Sequence, residues 1–207
     1  MEIWMQYYPL TTQDFMTITN NSNLTISTNY FLLSSNFVGL TSGVISSTAN
    51  GIKFLHSLCY FTNNSNSNHG GSIYFSGNSS IVQDNFCSFN SYTPRDGKHS
   101  YTSVNTDVNL NYIIGSSIFA CGNQSDGSGC IRQTNGIHNI SYSNISNCSC
   151  NQWSGYYLNK GYANIHRCYF RGNRAINNGI CMYHLTTSHS NVTNSVFIEN
   201  YAYVSNE

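Results

Sequence analysis

The sequence predicts an all-β protein that folds as a right-handed parallel β-helix, a solenoid of about six to eight coils. Three observations carry this prediction: the composition favours strands, short phrases recur at similar intervals, and no apolar helical stripe exceeds two turns. We expect the repeats to occupy residues 24–207. Residues 1–23 are expected to form an N-terminal segment or cap whose structure the pattern does not define.

The composition favours strands and leaves the surface nearly uncharged. Aromatic residues make up 14% of the chain, with 16 Tyr and 11 Phe, and Pro occurs only twice, which is typical of β structure. Charged residues are 8% and the net charge is zero, so Asn and Ser supply the surface polarity. A neutral chain has no electrostatic footprint for nucleic acid, and we exclude that class of partner.

An aromatic residue followed three positions later by Asn is the main repeated phrase. It occurs as Phe61/Asn64, Phe170/Asn173 and Phe197/Asn200. On a wider template the copies are Ile165–Asn173, Val192–Asn200, His56–Asn64, Val82–Asn90 and, in degenerate form, Ile140–Cys148, with Asn36 as an earlier candidate. Successive copies end about 25–28 residues apart, or at twice that interval, which is typical of solenoids.

Stacked coils place equivalent residues in columns about 4.8 Å apart. We therefore expect Phe61, Phe170 and Phe197 to form one interior aromatic column. Left-handed backbone is expected at two corners, where Asn and Gly tolerate it best. The expected corner residues are Asn64, Asn90, Asn173 and Asn200 at one corner and Gly71, Gly155 and Gly179 at another.

Two stretches interrupt the interval. Residues 92–111, which include Pro94, are expected to be a loop insertion or an irregular coil, and residues 122–136 a second insertion. Such loops often carry the binding function of a solenoid, although a connection without function is the simpler interpretation.

A Gly-rich phrase that opens a strand accompanies the aromatic phrase. It is seen as Gly-Gly-Ser-Ile at Gly70–Ile73 and as Gly-Ser-Ser-Ile at Gly115–Ile118. Together with the Phe-x-x-Asn copies, these motifs resemble the repeats of polymorphic outer membrane proteins, surface-exposed right-handed parallel β-helices of the pectin-lyase-like superfamily. Similar repeats occur in surface families of parasitic protists. The resemblance spans about residues 30–204.

The resemblance implies a cell-surface or extracellular location and a role in adhesion or immune presentation. The partner would be a host protein or a glycan, and no catalytic residue or cofactor is carried over. The chain shows no secretory signal at its start and no barrel after the repeats. We therefore expect a fragment of a longer surface protein, attached to a membrane only through segments absent from this chain.

Nine Asn-x-Ser/Thr sequons are compatible with glycosylation on a secretory route, but a chain so rich in Asn, Ser and Thr also makes them by chance. They begin at Asn20, Asn23, Asn63, Asn78, Asn123, Asn139, Asn144, Asn147 and Asn191.

A polysaccharide lyase or glycosidase on the same scaffold is the alternative function. Hydrolysis needs two carboxylates about 5–9.5 Å apart, and elimination usually needs several carboxylates around calcium together with a base. The eight acidic residues do not recur at one coil position; they are Glu2, Asp14, Asp84, Asp96, Asp107, Asp126, Glu199 and Glu207. We therefore expect a non-catalytic protein.

Eight cysteines are expected to be small apolar residues of the interior columns; a disulfide between Cys121 and Cys130 is the alternative. Zinc is not expected, because only Cys148 and Cys150 are closely spaced. His184 and His189 are assigned to a turn or to the surface.

A candidate glycan-stacking patch follows the second interruption. It comprises Trp153, Tyr156, Tyr157 and Tyr162, because exposed Trp and Tyr combine an apolar ring with a polar tip. Packing of these rings into the core of one coil is the alternative.

Overall fold

A computed structural model describes residues 2–9, 14–16, 21–123, 125–178, 181–185 and 190–202. These residues form a parallel β-solenoid of about six turns with 3% helix, which confirms the predicted parallel β-helix class. In each turn the chain passes through a first, a second and a third sheet in that order, and successive turns pair in parallel.

The strands of the first sheet open each coil. They are β2 (Leu24–Thr25), β5 (Ile45–Ser47), β8 (Ile73–Gly77), β11 (Ser100–Val104), β14 (Ile131–Thr134), β18 (Tyr156–Asn159) and β22 (Met182–Leu185).

The second sheet has eight strands. They are β1 (Asp14–Met16), β3 (Tyr30–Leu33), β6 (Lys53–Ser57), β9 (Ser80–Asp84), β12 (Leu110–Ile114), β15 (Ile137–Ser141), β19 (Tyr162–His166) and β23 (Ser190–Thr193).

The third sheet consists of three-residue strands. They are β4 (Asn36–Val38), β7 (Tyr60–Thr62), β10 (Cys87–Phe89), β13 (Ser117–Phe119), β16 (Asn144–Ser146), β20 (Tyr169–Arg171) and β24 (Val196–Ile198). Three further strands form a small fourth sheet after the third one: β17 (Ser149–Gln152), β21 (Arg174–Asn178) and β25 (Tyr201–Ala202).

The predicted Phe column lies at the centre of the third sheet. In register it contains Phe37, Phe61, Ser88, Ile118, Ile145, Phe170 and Phe197. The rings stack in pairs at its two ends, with centroids 5.4 Å apart for Phe37 and Phe61 and 4.8 Å apart for Phe170 and Phe197. The column is therefore continuous, but Ser and Ile fill its middle coils.

The buried Asn residues tie neighbouring coils together instead of bending the chain. Asn173 Oδ1 accepts from the backbone N–H of Cys148 (3.0 Å), and its Nδ2 donates to the carbonyl of Ile145 (2.8 Å). Asn64 and Asn200 make equivalent bonds to their preceding coils. The left-handed conformation belongs to the residue just before, as at Asn63 (φ 53°).

The predicted left-handed corner is confirmed at Asn90, but Asn90 is equivalent to Asn63 and not to Asn64. Asn90 is exposed with φ 52°, and Ser91 occupies the buried position. The copy written as Val82–Asn90 was one residue out of register, since His56 pairs with Gln83. A shift of one residue exchanges the two faces of a strand. Cys87, assigned to the interior, is accordingly exposed.

The two Gly-rich phrases do not occupy equivalent positions in the coil. The predicted Gly corner also lacks the expected left-handed backbone. Ile73 opens β8 in the first sheet, whereas Ile118 lies in β13 of the third. Gly71 and Gly155 do not have positive φ. They are required by close approach: a Cβ on Gly71 would lie 2.1 Å from a carbonyl oxygen of the next coil. Gly179 lies outside the described residues.

Asn36 is four residues out of the expected register: it pairs with Tyr60 beside the Phe column and is exposed, so it is not an earlier corner residue. The two interrupting stretches also contain regular structure. Residues 92–111 include β11 and the start of β12, and residues 122–136 include all of β14. The longest connections there run from the third sheet to the first, and the connection between β11 and β12, residues 105–109, is also longer than its neighbours.

The N-terminal segment contains a short helix, α1 (Glu2–Tyr7), on the outer face of the second sheet. Its buried Trp4 packs in a cluster with Phe31, Leu55 and Val82. In later coils the same outer column contains Asn139, Asn164 and Asn191, so the apolar strip covers only the early coils. No helix in the described part of the chain is long and apolar enough to span a membrane.

We expect Asn173→Ala to lower the free energy of unfolding by about 1–3 kcal/mol, because it leaves the buried N–H of Cys148 without a partner. Urea denaturation would measure the loss. Asn147→Gly is the matched control: Asn147 is exposed at φ 53°, a conformation that Gly adopts freely. Equal losses of unfolding free energy in the two variants would contradict a stabilising role for the Asn173 side-chain hydrogen bonds.

Stability should fall in acid because three histidines are buried in the neutral form. Burial lowers the pKa of His56 to about 3 and that of His99 and His138 to about 4. Below pH ~6.5 the unfolded chain binds more protons than the folded one. The stabilisation that these histidines contribute is therefore fully present above that pH, and it is lost as the pH falls towards their pKa values in the folded protein. Each histidine contributes a slope of about 1.4 kcal/mol per pH unit in that window.

Urea denaturation between pH 7.5 and 4.5 would measure this slope. His99→Phe should reduce it, since His99 stacks on Phe86 at 4.9 Å and neither ring nitrogen has a hydrogen-bond partner. An unchanged slope in this variant would contradict the assignment.

Candidate functional site

The structure brings two of the four predicted patch residues together and separates the other two. Trp153 and Tyr157 stack with ring centroids 4.7 Å apart. Tyr156 is fully buried and packs against Phe170, because adjacent residues of a strand point to opposite faces. Tyr162 lies beyond the next corner, on the second sheet, and is 46% exposed.

Tyr157 belongs to an outer column of the first sheet. In register, this column contains Tyr74, Tyr101, Arg132, Tyr157 and Tyr183. We call these five residues, together with Trp153, the aromatic ladder. The rings of Tyr74 and Tyr101 stack at 5.6 Å, and the Arg132 guanidinium lies 5.4 Å from the Tyr101 ring and 4.5 Å from the Tyr157 ring.

Trp153 closes the ladder at one end. Its ring also stacks on Tyr183, with centroids 4.3 Å apart. The residue follows β17 and has φ 48°, a left-handed conformation that is costly for a bulky side chain. The contacts with Tyr157 and Tyr183 hold the indole over the ladder despite this strain.

A carboxylate fixes the position of Arg132. Asp96 bonds to the Arg132 guanidinium and accepts from the backbone N–H of Ser128 at 3.1 Å. His69 Nδ1 lies 3.6 Å from the same carboxylate, and burial lowers the His69 pKa although Asp96 opposes this. Burial raises the pKa of the Tyr101 hydroxyl, because it also disfavours the charged form of that group. The ladder therefore presents a neutral phenol beside a paired guanidinium.

The geometry of the ladder determines what it can contact. Because the rings stack along the solenoid axis, their faces are largely covered by one another, and ring edges and hydroxyl groups point outward. The six ladder side chains are all half-buried. Aromatic residues and Arg are the side chains enriched at recognition surfaces, since they combine a large apolar area with fixed hydrogen-bonding groups.

The sequons avoid this surface. None begins within a strand of the first sheet, although Asn23 directly precedes β2 and Asn78 directly follows β8. Asn139 and Asn191 lie on the second sheet and Asn144 on the third, and Asn63 and Asn147 follow third-sheet strands.

The other predicted site residues do not form a chemical centre. Asp84 is replaced by Ser57, Ile114 and Ser141 at the equivalent positions of neighbouring coils. His184 lies in β22 and is half-buried, whereas His189 is outside the described residues. In the described part of the chain no three His, Cys, Asp or Glu side chains are arranged to hold a metal ion.

Sequence reasoning missed four ladder residues: Tyr74, Tyr101, Arg132 and Tyr183. Three of them are tyrosines that recur at about the coil interval, a signal that the Phe-x-x-Asn template left out because it follows the third sheet. Arg132 gives no such signal.

Comparisons with known proteins found no relative: no family model, no curated protein and no solved structure matches the chain. The resemblance to polymorphic outer membrane proteins therefore rests on the short repeated motifs alone.

We expect Tyr183→Ala to shift the tryptophan emission to longer wavelength, because it removes one of the two rings that shield Trp153. The chain has two Trp, and Trp4 is 1% exposed, so the shift reports on Trp153. Tyr169→Ala, on the third sheet, is the control and should leave the emission unchanged. Identical spectra for Tyr183→Ala and the parent protein would contradict the stacking.

Proposed function

We propose that this chain is a non-catalytic β-helix repeat protein that acts at a cell surface or outside the cell. In this proposal the aromatic ladder is the surface that contacts a glycan or a host protein, which gives the protein a role in adhesion. The observation that carries the proposal is the ladder itself: an ordered row of Tyr, Arg and Trp side chains on the outside of a solenoid, where the core does not need them.

The chemistry of the ladder supports contact with a polar, uncharged ligand. Outward Tyr hydroxyls donate and accept hydrogen bonds as sugar hydroxyls do, and ring edges add apolar contact. Arg132 is paired with Asp96, so it offers directed N–H groups without a large net positive field.

The distribution of sequons supports the same face. If the chain is a glycoprotein, N-glycans would lie on the second and third sheets, in the connections, and at the ends of β2 and β8, but none would be attached within the strands that carry the aromatic ladder. A bulky glycan excludes partners from the surface around it. The resemblance of the repeats to polymorphic outer membrane proteins agrees with a surface location.

A glycan array and a cell-binding assay would test the proposal. We expect the parent protein to bind and the double variant Trp153→Ala/Tyr183→Ala to lose at least tenfold in affinity, as truncation of aromatic hot spots does. Tyr60→Ala is the matched control, because Tyr60 is 42% exposed on the third sheet. Unchanged binding by the double variant would remove the ladder from the proposal. Release of new reducing or unsaturated sugar ends would contradict the non-catalytic part.

A further inference from the structure

Two columns of small, mostly polar side chains meet inside the solenoid where the third sheet ends and the first begins. We call this the interior seam. One column contains Asn64, Ser91, Cys121, Cys148 and Asn173, and the other contains Ser72, His99, Cys130, Gly155 and Cys181. Every side chain in the seam except that of Cys181, at 6%, is completely shielded from solvent.

The two columns face each other within each coil. The Oγ atoms of Ser72 and Ser91 lie 2.7 Å apart across the seam. Two coils further on, Cys130 occupies the position of Ser72 and Cys148 the position of Ser91. Positions that bring two hydroxyl oxygens within hydrogen-bonding distance also bring two thiols within bonding reach, because C–S bonds are longer than C–O bonds.

The third thiol of the seam, Cys121, also hydrogen-bonds with both Cys130 and Cys148, but its place in the fold suits a disulfide with either of them less well. Cys121 and Cys148 stack in register on neighbouring coils, so their Cβ atoms are separated by the coil spacing of about 4.8 Å, beyond the ~3.8 Å of a typical disulfide. Cys121 and Cys130 occupy the positions that Asn173 and Cys181 occupy two coils further on. In that later pair, Asn173 Nδ2 lies 3.8 Å from Cys181 Sγ, and the Asn side chain is longer than that of Cys.

We propose that Cys130 and Cys148 form a disulfide across the interior seam, closing one coil of the solenoid, while Cys121 remains a thiol. All eight cysteines are free thiols in the structure. The proposed bond is a covalent modification that forms when two of them are oxidised. In the organism it would require an oxidising compartment and to that extent rests on the proposed function; its formation in vitro does not.

The reaction is an exchange with a small-molecule disulfide such as oxidised glutathione. One cysteine loses its proton to solvent, and its thiolate attacks glutathione disulfide, which gives a mixed disulfide and one glutathione thiolate. The second cysteine, also deprotonated, attacks the protein sulfur of the mixed disulfide and releases the second glutathione thiolate. Two protein thiols are oxidised, one glutathione disulfide is reduced to two glutathiones, and these take up the two protons.

Burial determines when the exchange can occur. It raises the pKa of both the Cys130 and the Cys148 thiol, and only the thiolate reacts. The bond should therefore form while the chain folds and the seam is still open. Once formed, it should resist reductants under native conditions.

The test is to refold the full chain in glutathione redox buffer and to map its cysteines by peptide mass spectrometry after alkylation. We expect a mass loss of about 2 Da, as one disulfide requires, with Cys130 and Cys148 protected together from alkylation. The oxidised protein should melt several degrees above the reduced protein. Native oxidised protein should keep the bond in a reductant that cleaves it in urea.

Three variants separate the pairings. Cys121→Ser should keep the mass loss, and Cys148→Ser should abolish it. The double variant Cys130→Ser/Cys148→Ser recreates the serine pair found at Ser72 and Ser91, so it should fold and melt at one temperature in both redox conditions. This variant also keeps the aromatic ladder, so ligand binding can be measured independently of the disulfide.

Two results would overturn the proposal. One is eight alkylated cysteines in folded protein recovered from the oxidising buffer. The other is a disulfide that maps to Cys121, in the parent protein or in Cys148→Ser. Neither result would bear on the proposed function, which is tested by binding.

Discussion

The coil-to-coil hydrogen bonding of the three sheets is the constraint on which the rest of the structure depends. Parallel pairing in register places each side chain directly on its equivalent in the next coil, about 4.8 Å away. A residue is therefore acceptable only if it stacks well on both neighbours. Phe37 meets Phe61 in this way, and on the outside the same rule stacks Tyr74 on Tyr101. Core packing and surface pattern follow from one geometric repeat.

The corners are set by a second requirement, that no buried backbone group stays without a partner. Where the chain leaves the third sheet, Asn173 and Asn200 supply side-chain bonds to the preceding coil. Cys148 stands at an equivalent position and supplies no such amide. The interior seam therefore has thiols in its middle coils and amides, Asn64 and Asn173, at the two ends of the same column.

The fold could be predicted from the sequence because Phe61, Phe170 and Phe197 mark one column at the coil interval. The register of the middle coils could not, because Ser88 replaces the aromatic residue there and nothing else distinguishes Val82 from Gln83. The site was predictable only in part for a similar reason. Tyr156 and Tyr157 are adjacent, and a strand could have either of them facing the core. Only the packing of neighbouring coils places Tyr156 inside and Tyr157 outside.

The corners also differ in length. Between the second and third sheets every coil uses two residues, whereas the connections from the third sheet to the first are longer and unequal. A residue added at the short corner would exchange the two faces of the following strand, so that its core side chains would point to solvent. A residue added to the exposed part of a long connection, outside the interior seam and the fourth sheet, would displace nothing in the stack. Insertions and deletions can therefore accumulate along one edge of the solenoid, and that edge, which borders the aromatic ladder, is where related chains are free to diverge in length.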